Sequence, residues 1–200
     1  MNKKKKNSYS DINIAVLVSD ESYGLDLYEG YWNPLFFFGE KLKNLRINLN
    51  IIYKLDKRVF KNDIVILSSR YFKKKNNIID ECYFSLFESL SKKKIRIIWF
   101  DLRDSAGTTQ FEVLPYVDLY YKKQIYKNKK IYYKDIYGGR DYSNFYHKKF
   151  HVSDDNPYNF IKLEKKYESK INISWNIGVK LFSPNYKNFF QRAYALSKYK

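Results

Sequence analysis

The class of fold follows from a stretch in the middle of the chain, Ile95–Phe100, which reads IRIIWF. This short, nearly continuous apolar run is typical of a strand that is buried on both faces. Two earlier runs have the same character, Ile12–Val18 (INIAVLV) and Asp63–Leu67 (DIVIL). Further strands are predicted at Ile47–Tyr53 and Val117–Tyr121.

Helical stretches separate these strands. Pro34 suits the first position of a helix that leads toward the second strand. Another helix is expected from a cap at Asn76 or Asn77 to about Ser91, with Cys82 beside its apolar stripe as a small packed residue. The alternation predicts an α/β fold: a Rossmann-like, mostly parallel, doubly wound sheet in a single lobe.

The domain organisation predicted from the sequence has three parts. Residues 1–11 form a basic flexible tail, residues 12–180 the Rossmann-like domain, and residues 181–200 an extension or the start of a second lobe. No run approaches the roughly 20 apolar residues that cross a bilayer. A single cysteine fits a reducing compartment, so we expect a cytoplasmic protein, either soluble or peripheral at the inner face of the cell membrane.

The charge balance has two interpretations. Lys and Arg total 38 against 21 Asp and Glu, a formal charge of +17, which ordinarily indicates nucleic acid or an anionic membrane as a partner. Lys supplies 31 of the 38 cations, however, as an A·T-rich genome would favour. The scarcity of Arg also argues against base recognition, so no specific nucleic acid is expected.

The richest candidate site follows the fourth strand, because ligands of open α/β sheets bind beyond the carboxyl ends of the strands. In residues 101–109, Asp104 is a candidate catalytic base for a sugar hydroxyl. The candidates for substrate binding in this loop are Arg103, Ser105, Gly107 and Thr108. The structural alternative is that Asp104 or Thr109 caps a short helix and Arg103 pairs with a carboxylate.

A second candidate lies in the loop after the first strand, where Glu21, Tyr23 and Gly24 are candidates for substrate contact. A purely structural role for Gly24 and Gly30, in tight turns, is the favoured alternative. Neither a Gly-x-Gly-x-x-Gly fingerprint nor a Gly-Lys-Ser/Thr motif occurs in the chain. This weighs against a dinucleotide cofactor or a P-loop nucleotidase, and no cofactor is predicted.

Later in the chain, Gly138, Gly139 and Arg140 could hold a phosphate through backbone amides and the guanidinium, or could form a plain glycine turn. His147 is a candidate general base. His147 and His151 have helical spacing, but no third ligand is recognisable, so no metal site is predicted.

Aromatic and lysine residues alternate from Tyr120 through Tyr137. Such a stretch could stack bases or rest on anionic headgroups. A solvated strand edge, with lysines that extend their stems along it, is the favoured interpretation.

Several segments together resemble a known family. They are 104–108 (DSAGT), 113–118 (VLPYVD), 122–124 (KKQ), 137–140 (YGGR) and 175–178 (WNIG). In these the chain resembles the amino-terminal half of bacterial GT-B glycosyltransferases encoded in capsule and O-antigen clusters. The resemblance implies an acceptor-binding lobe, with Asp104, Ser105, Gly107 and Arg140 at or near the cleft between lobes.

In that family a carboxyl-terminal lobe binds the sugar nucleotide, and the 200 residues contain no such lobe and no donor-binding pair of glutamates. The expected function is therefore a glycosyltransferase, or its acceptor-binding lobe, that transfers sugar from a nucleotide-sugar to a glycan or lipid-linked acceptor. The donor would require a second lobe or a partner chain. The alternative is a non-catalytic basic module that binds RNA or an anionic membrane surface.

Overall fold

The computed structural model describes residues 10–18, 31–32, 34–35, 38–72, 74–75, 78–155 and 157–175. The strands are β1 (Ile12–Leu17), β2 (Ile47–Ile52), β3 (Ile64–Ser68), β4 (Lys74–Lys75), β5 (Ile78–Ile79), β6 (Arg96–Asp101), β7 (Leu119–Lys122) and β8 (Ile171–Ile173). The helices are α1 (Gly39–Asn44), α2 (Phe84–Lys92) and α3 (Asp141–Phe150). Six short 3-10 segments connect them: Lys57–Lys61, Glu81–Tyr83, Phe111–Val113, Lys129–Tyr133, Tyr137–Gly139 and Lys165–Lys170.

Six of the strands form one all-parallel sheet in the order β2-β1-β3-β6-β7-β8, and β4 pairs with β5 in a separate antiparallel hairpin. This confirms the predicted Rossmann-like α/β lobe. Since β1 lies between β2 and β3, the direction of winding reverses there, and the carboxyl ends of β1 and β3 flank the crevice.

Both faces of the sheet are covered, as expected of buried parallel strands. One face packs against α2 and the segments around it, through the buried side chains Ala15, Leu17, Val65, Leu67, Ile97, Trp99 and Tyr120. The other face is covered by Tyr31, Trp32 and Trp175, which contact Val16, Ile66 and Phe100. Trp175 stacks on Tyr31 with ring centroids 5.0 Å apart, and its indole Nε1 donates to the Tyr31 carbonyl at 2.7 Å.

The second predicted helix starts later than expected. Asn76 and Asn77 lie outside the described residues, and β4 and β5 occupy the positions on either side of them. Asp80 instead caps a 3-10 turn by accepting from the Cys82 backbone N–H at 3.0 Å, and α2 begins only at Phe84. Cys82 is therefore not on the apolar stripe of α2 and is exposed, so the prediction of a packed cysteine was wrong.

The expectation of a solvated strand edge at Tyr120–Lys122 was also wrong. These residues belong to β7, which has β6 on one side and β8 on the other. The strand β8 was not predicted, because Ile171–Ile173 is only three residues long and has no apolar run around it. With both neighbours in place, the Tyr120 and Lys122 side chains are fully buried.

Candidate functional site

The carboxyl ends of β3, β6 and β7 meet at one edge of the sheet, where the sequence predicted the site. Ser68 lies opposite Phe100, and Asp101 lies opposite Lys122. Asp101 follows Trp99 by two residues and Lys122 follows Tyr120 by two, so both charged side chains continue the face that is buried under α2.

Asp101 and Lys122 form an ion pair with no solvent exposure on either side chain. The Lys122 ammonium lies 3.2 Å from Asp101 Oδ2, and it also donates to the carbonyls of Arg103 at 3.2 Å and Thr108 at 3.0 Å. The Tyr120 hydroxyl donates to the same carboxylate oxygen at 2.5 Å, and the Arg103 backbone N–H donates to the other at 3.0 Å. Every donor of the ammonium and both carboxylate oxygens therefore have partners.

The electrostatics of this network follow from burial. Burial lowers the pKa of Lys122, and the facing Asp101 opposes that shift. Burial raises the pKa of Tyr120 well above its usual value, and the Asp101 charge adds to the effect. The Tyr120 hydroxyl thus keeps its proton and acts as a donor. We interpret Asp101 and Lys122 as anchors of the site, since solvent reaches neither side chain.

The predicted site residue Arg103 is buried and holds a distant segment. Its Nη1 donates to the Thr109 carbonyl at 3.0 Å and also contacts the Tyr158 hydroxyl, which itself donates to Thr109. The guanidinium carbon lies 4.9 Å from the centre of the Tyr158 ring. Arg103 thus ties residue 158 to the loop after β6.

Asp104, the predicted catalytic base, is on the surface. Its side chain is 83% exposed and forms an ion pair with Lys123. The hydrogen bond from Lys123 holds the pKa of the Asp104 carboxyl below its usual value. A lower pKa makes a weaker base. The catalytic role of Asp104 stays a prediction.

The other predicted residues of this loop hold its shape. Ser105 Oγ accepts from the Gly107 N–H at 3.3 Å, and the Thr108 hydroxyl donates to the Ser105 carbonyl at 3.2 Å. Thr108 is buried. Gly107 packs so closely that a Cβ there would lie 2.0 Å from the Gly139 carbonyl oxygen and 2.8 Å from the Tyr126 hydroxyl. These contacts pack the loop after β6 against residues 137–139.

Gly138 and Gly139 both have positive φ, 64° and 63°, a conformation that favours glycine. A Cβ on Gly139 would lie 2.6 Å from the Tyr158 ring. Arg140 does not turn back toward them, because its Nη1 contacts the Tyr142 hydroxyl on the outside of α3. The glycines therefore allow close packing, and phosphate binding by these three residues stays a prediction.

An open pocket of about 560 Å³ lies on the other side of this glycine turn. Its ring-bearing walls are Tyr137, Tyr158 and Phe160. Its other hydrogen-bonding side chains are Asp135, Asn144, His147, Lys148 and Asn159. The structure thus brings Gly138 and His147, two of the predicted residues, to one pocket, and connects it through Tyr158 to Arg103.

His147 is held in one orientation. Its imidazole stacks on Tyr137, with centroids 3.8 Å apart and planes within 7°, and its Nδ1 lies 3.0 Å from the Val152 carbonyl oxygen. Because a carbonyl only accepts, Nδ1 carries the hydrogen, and Nε2 holds the lone pair of the neutral ring. Tyr137 is fixed in turn, since Asn144 accepts from its N–H at 3.2 Å and its hydroxyl accepts from the Asp154 N–H at 2.7 Å.

The remaining predicted residues are those of the loop after the first strand and the second histidine. Glu21, Tyr23 and Gly24 lie outside the described residues. His151 ends α3 in the left-handed conformation, at φ 55°. Within the described part of the chain, no group of three or more His, Cys, Asp or Glu side chains could hold a metal ion.

The residues that sequence reasoning missed are Asp101, Lys122, Tyr137 and Tyr158. Asp101 had a signal, as a carboxylate that directly follows an apolar strand. Lys122 also had a signal, because it lies two positions after Tyr120 and therefore on the same face of the strand. Tyr158 has no local signal, because its partners Arg103 and Thr109 are 55 and 49 residues away.

No helix in the described ranges is both long and apolar enough to cross a membrane. Comparisons with models of protein families, with characterised proteins and with solved structures give no match for this chain. Any function must therefore be argued from the pocket and its surroundings.

Proposed function

We propose that this chain is the acceptor-binding lobe of a glycosyltransferase that assembles cell-surface polysaccharide. The observation that carries the proposal is the open pocket, whose walls combine aromatic rings with hydrogen-bonding side chains. It is connected to the loop after β6, at the carboxyl edge of the parallel sheet, through the contact of Tyr158 with Arg103. The resemblance to GT-B amino-terminal lobes in the loop after β6 and at residues 137–140 points to the same class.

The lining suits a sugar better than a flat aromatic or a phosphate. Rings such as Tyr158 and Phe160 offer apolar faces to the C–H faces of a pyranose, a contact that is weak singly but recurs. Asp135 accepts hydrogen bonds from hydroxyls, and Asn144 can both donate and accept. One cation, Lys148, lines the pocket, which is few for a polyanionic ligand.

His147 is the residue we assign as the base that takes a proton from the acceptor hydroxyl. Its hydrogen bond to the Val152 carbonyl places the hydrogen of the neutral ring on Nδ1 and leaves the lone pair on Nε2. Imidazole is the most frequent general base in enzymes. The nucleotide-sugar would come from a second lobe or a partner chain, and the acceptor would be a glycan or lipid-linked glycan at the cytosolic face of the membrane.

Glycan titration followed by NMR tests the binding step. A panel of oligosaccharides with neutral, acidic and amino sugars is added to the full chain, and the His147 and Tyr158 resonances are followed. We expect at least one glycan to shift both, and His147→Asn to weaken that binding. His151→Asn is the matched control, because it removes the other histidine four residues later, outside the pocket lining. A panel in which no member shifts either resonance overturns the proposal.

The catalytic step needs a separate measurement. Extracts of cells that lack the chain's gene, which retain both the membranes and any partner chain, are supplied with the chain and labelled nucleotide-sugars, and labelled glycan is counted. We expect His147→Asn to abolish incorporation and Asp104→Asn to reduce it only slightly. The reverse result, with Asp104→Asn inactive and His147→Asn active, would return the role of base to Asp104.

A further inference from the structure

The helix α3 differs from an ordinary surface helix, because its aromatic side chains face outward while some of its polar side chains line the pocket. Its polar residues Asn144 and His147 line the pocket, and Ser143 packs against Gly138. Its aromatic residues are on the outside and are about half exposed: Tyr142, Phe145, Tyr146 and Phe150. No residue of the helix is buried. Spacings of three and four residues place these four rings on one face.

Cations lie on this same face, among the rings. The Lys149 ammonium is 5.3 Å from the ring centres of both Phe145 and Phe150, and the Arg140 guanidinium carbon is 5.7 Å from the ring centre of Tyr142. The only carboxylate of the helix, Asp141, is engaged elsewhere, since it accepts from the Tyr126 hydroxyl at 2.9 Å. We call Arg140, Tyr142, Phe145, Tyr146, Lys149 and Phe150 the α3 outer face.

We propose that the α3 outer face rests on the surface of an anionic lipid bilayer. Phe145 and Phe150 would enter the boundary between headgroups and acyl chains, and the tyrosine hydroxyls would stay at headgroup level. Lys149 and Arg140 would reach lipid phosphates from among the rings.

Charge complementarity selects a bilayer as the occupant. The face carries two cations and no anion, and the chain as a whole carries +17, so an anionic surface attracts both the patch and the protein. A helix of ten residues is about 15 Å long and offers a convex ridge, which suits a deformable surface.

The inference deepens the proposed function and rests on it for one point, the lipid-linked acceptor. The same helix presents its rings outward and His147 to the pocket, so a bilayer under the outer face would bring lipid-linked glycans near the pocket. Binding to lipid is nevertheless measurable without sugar. Failure of the membrane proposal and failure of the glycosyltransferase proposal are therefore distinguishable.

Vesicle flotation tests the proposal. The full chain is mixed with vesicles of phosphatidylcholine, or of phosphatidylcholine with phosphatidylglycerol as the anionic component. We expect binding to the anionic vesicles only. Phe145→Ser combined with Phe150→Ser should weaken it at least about tenfold, because two apolar rings lose their insertion. Lys149→Glu should weaken it about fivefold or more.

Matched controls come from α1 and its C-cap, which lie beside the edge strand β2. Lys43→Glu makes the same charge change as Lys149→Glu, and Leu45→Ser removes an exposed apolar side chain. Each should change binding less than about twofold if the α3 outer face acts as a local site. All these positions are exposed, and circular dichroism verifies the fold of each variant.

Three results would overturn the proposal. The first is unchanged vesicle binding by the Phe145→Ser, Phe150→Ser variant. The second is an equal loss with Lys43→Glu and Lys149→Glu, which would indicate diffuse attraction by net charge. The third is a dimer in lipid-free sedimentation, or tight binding of single-stranded RNA, that the two phenylalanine substitutions abolish, since the outer face would then serve that other partner.

Discussion

The buried ion pair between Asp101 and Lys122 makes a sharp prediction about stability. In Asp101→Asn the Lys122 ammonium keeps the carbonyls of Arg103 and Thr108 but loses its counter-charge, with no access to water. Removing one partner of a buried pair costs about 3–5 kcal/mol. That is a large part of the roughly 5–15 kcal/mol that stabilises a typical domain.

Removing the cation instead of the anion leaves a buried carboxylate that keeps two hydrogen-bond donors. In Lys122→Met the Asp101 carboxylate still accepts from the Tyr120 hydroxyl and the Arg103 N–H. We therefore expect the lower end of the same range, about 3 kcal/mol. In the double variant no buried charge remains, and the asparagine oxygen still accepts from Tyr120 or Arg103. Its cost should be no more than about 4 kcal/mol, mostly from the two carbonyls that lose the ammonium.

The two substitutions should therefore be non-additive by at least about 2 kcal/mol, so Lys122→Met should cost at most about 1 kcal/mol in the Asp101→Asn background. Urea unfolding followed by circular dichroism measures all four proteins. The neighbouring pair Asp104 and Lys123 is the control: its carboxylate is 83% exposed, and its removal should cost at most about 1 kcal/mol. If Lys122→Met further destabilised Asp101→Asn by its full single cost, the two charges would not be coupled and the interpretation of the network would be wrong.

Three further outcomes follow from single contacts. Gly107→Ala should destabilise the chain by about 2 kcal/mol or more in urea unfolding, because the new Cβ would lie 2.0 Å from the Gly139 carbonyl oxygen. Gly39→Ala should stabilise the chain slightly in the same assay, because no atom lies within 4 Å of the new Cβ and alanine favours the helix. Burial raises the pKa of Tyr132 to about 12, so the folded state holds this proton more tightly than the unfolded chain does. The urea midpoint should therefore fall as the pH rises above about 10, and it should fall less steeply in Tyr132→Phe than in the unsubstituted chain. Cys82 should react fully with a thiol reagent in the native protein; protection until denaturant is added would contradict its exposed position.

The sheet was predictable because its signal is local. The first, third and fourth predicted strands are β1, β3 and β6, and each is an apolar run that needs burial on both faces. The start of α2 was not predictable from periodicity, since Asp80 caps a 3-10 turn before the helix and the stripe alone cannot show where helical geometry begins.

The candidate site was predictable by position but not by role. The loop after β6 lies at the carboxyl edge of the sheet, as the predicted strands imply. Which carboxylate is buried depends on strand register: Asp101 lies opposite Lys122, 21 residues later, and Asp104 extends past the strand end to the surface. The two-residue spacing from Trp99 places Asp101 on the buried face, but its pairing with Lys122 depends on the register of β6 against β7, which the sequence does not show.

A continuous series of contacts connects the buried ion pair to the pocket. Asp101 accepts from the Arg103 N–H, and the Arg103 side chain meets Tyr158 and the Thr109 carbonyl. Tyr158 is a wall of the pocket and packs on Gly139, whose carbonyl lies against Gly107 in the same loop. A charge pair with no solvent exposure thereby fixes where the loop leaves the sheet, and the loop fixes the ring on which a sugar would pack. Burying two ions is costly for stability alone, but here it sets the geometry of a surface pocket that lies among irregular segments with little regular structure of their own.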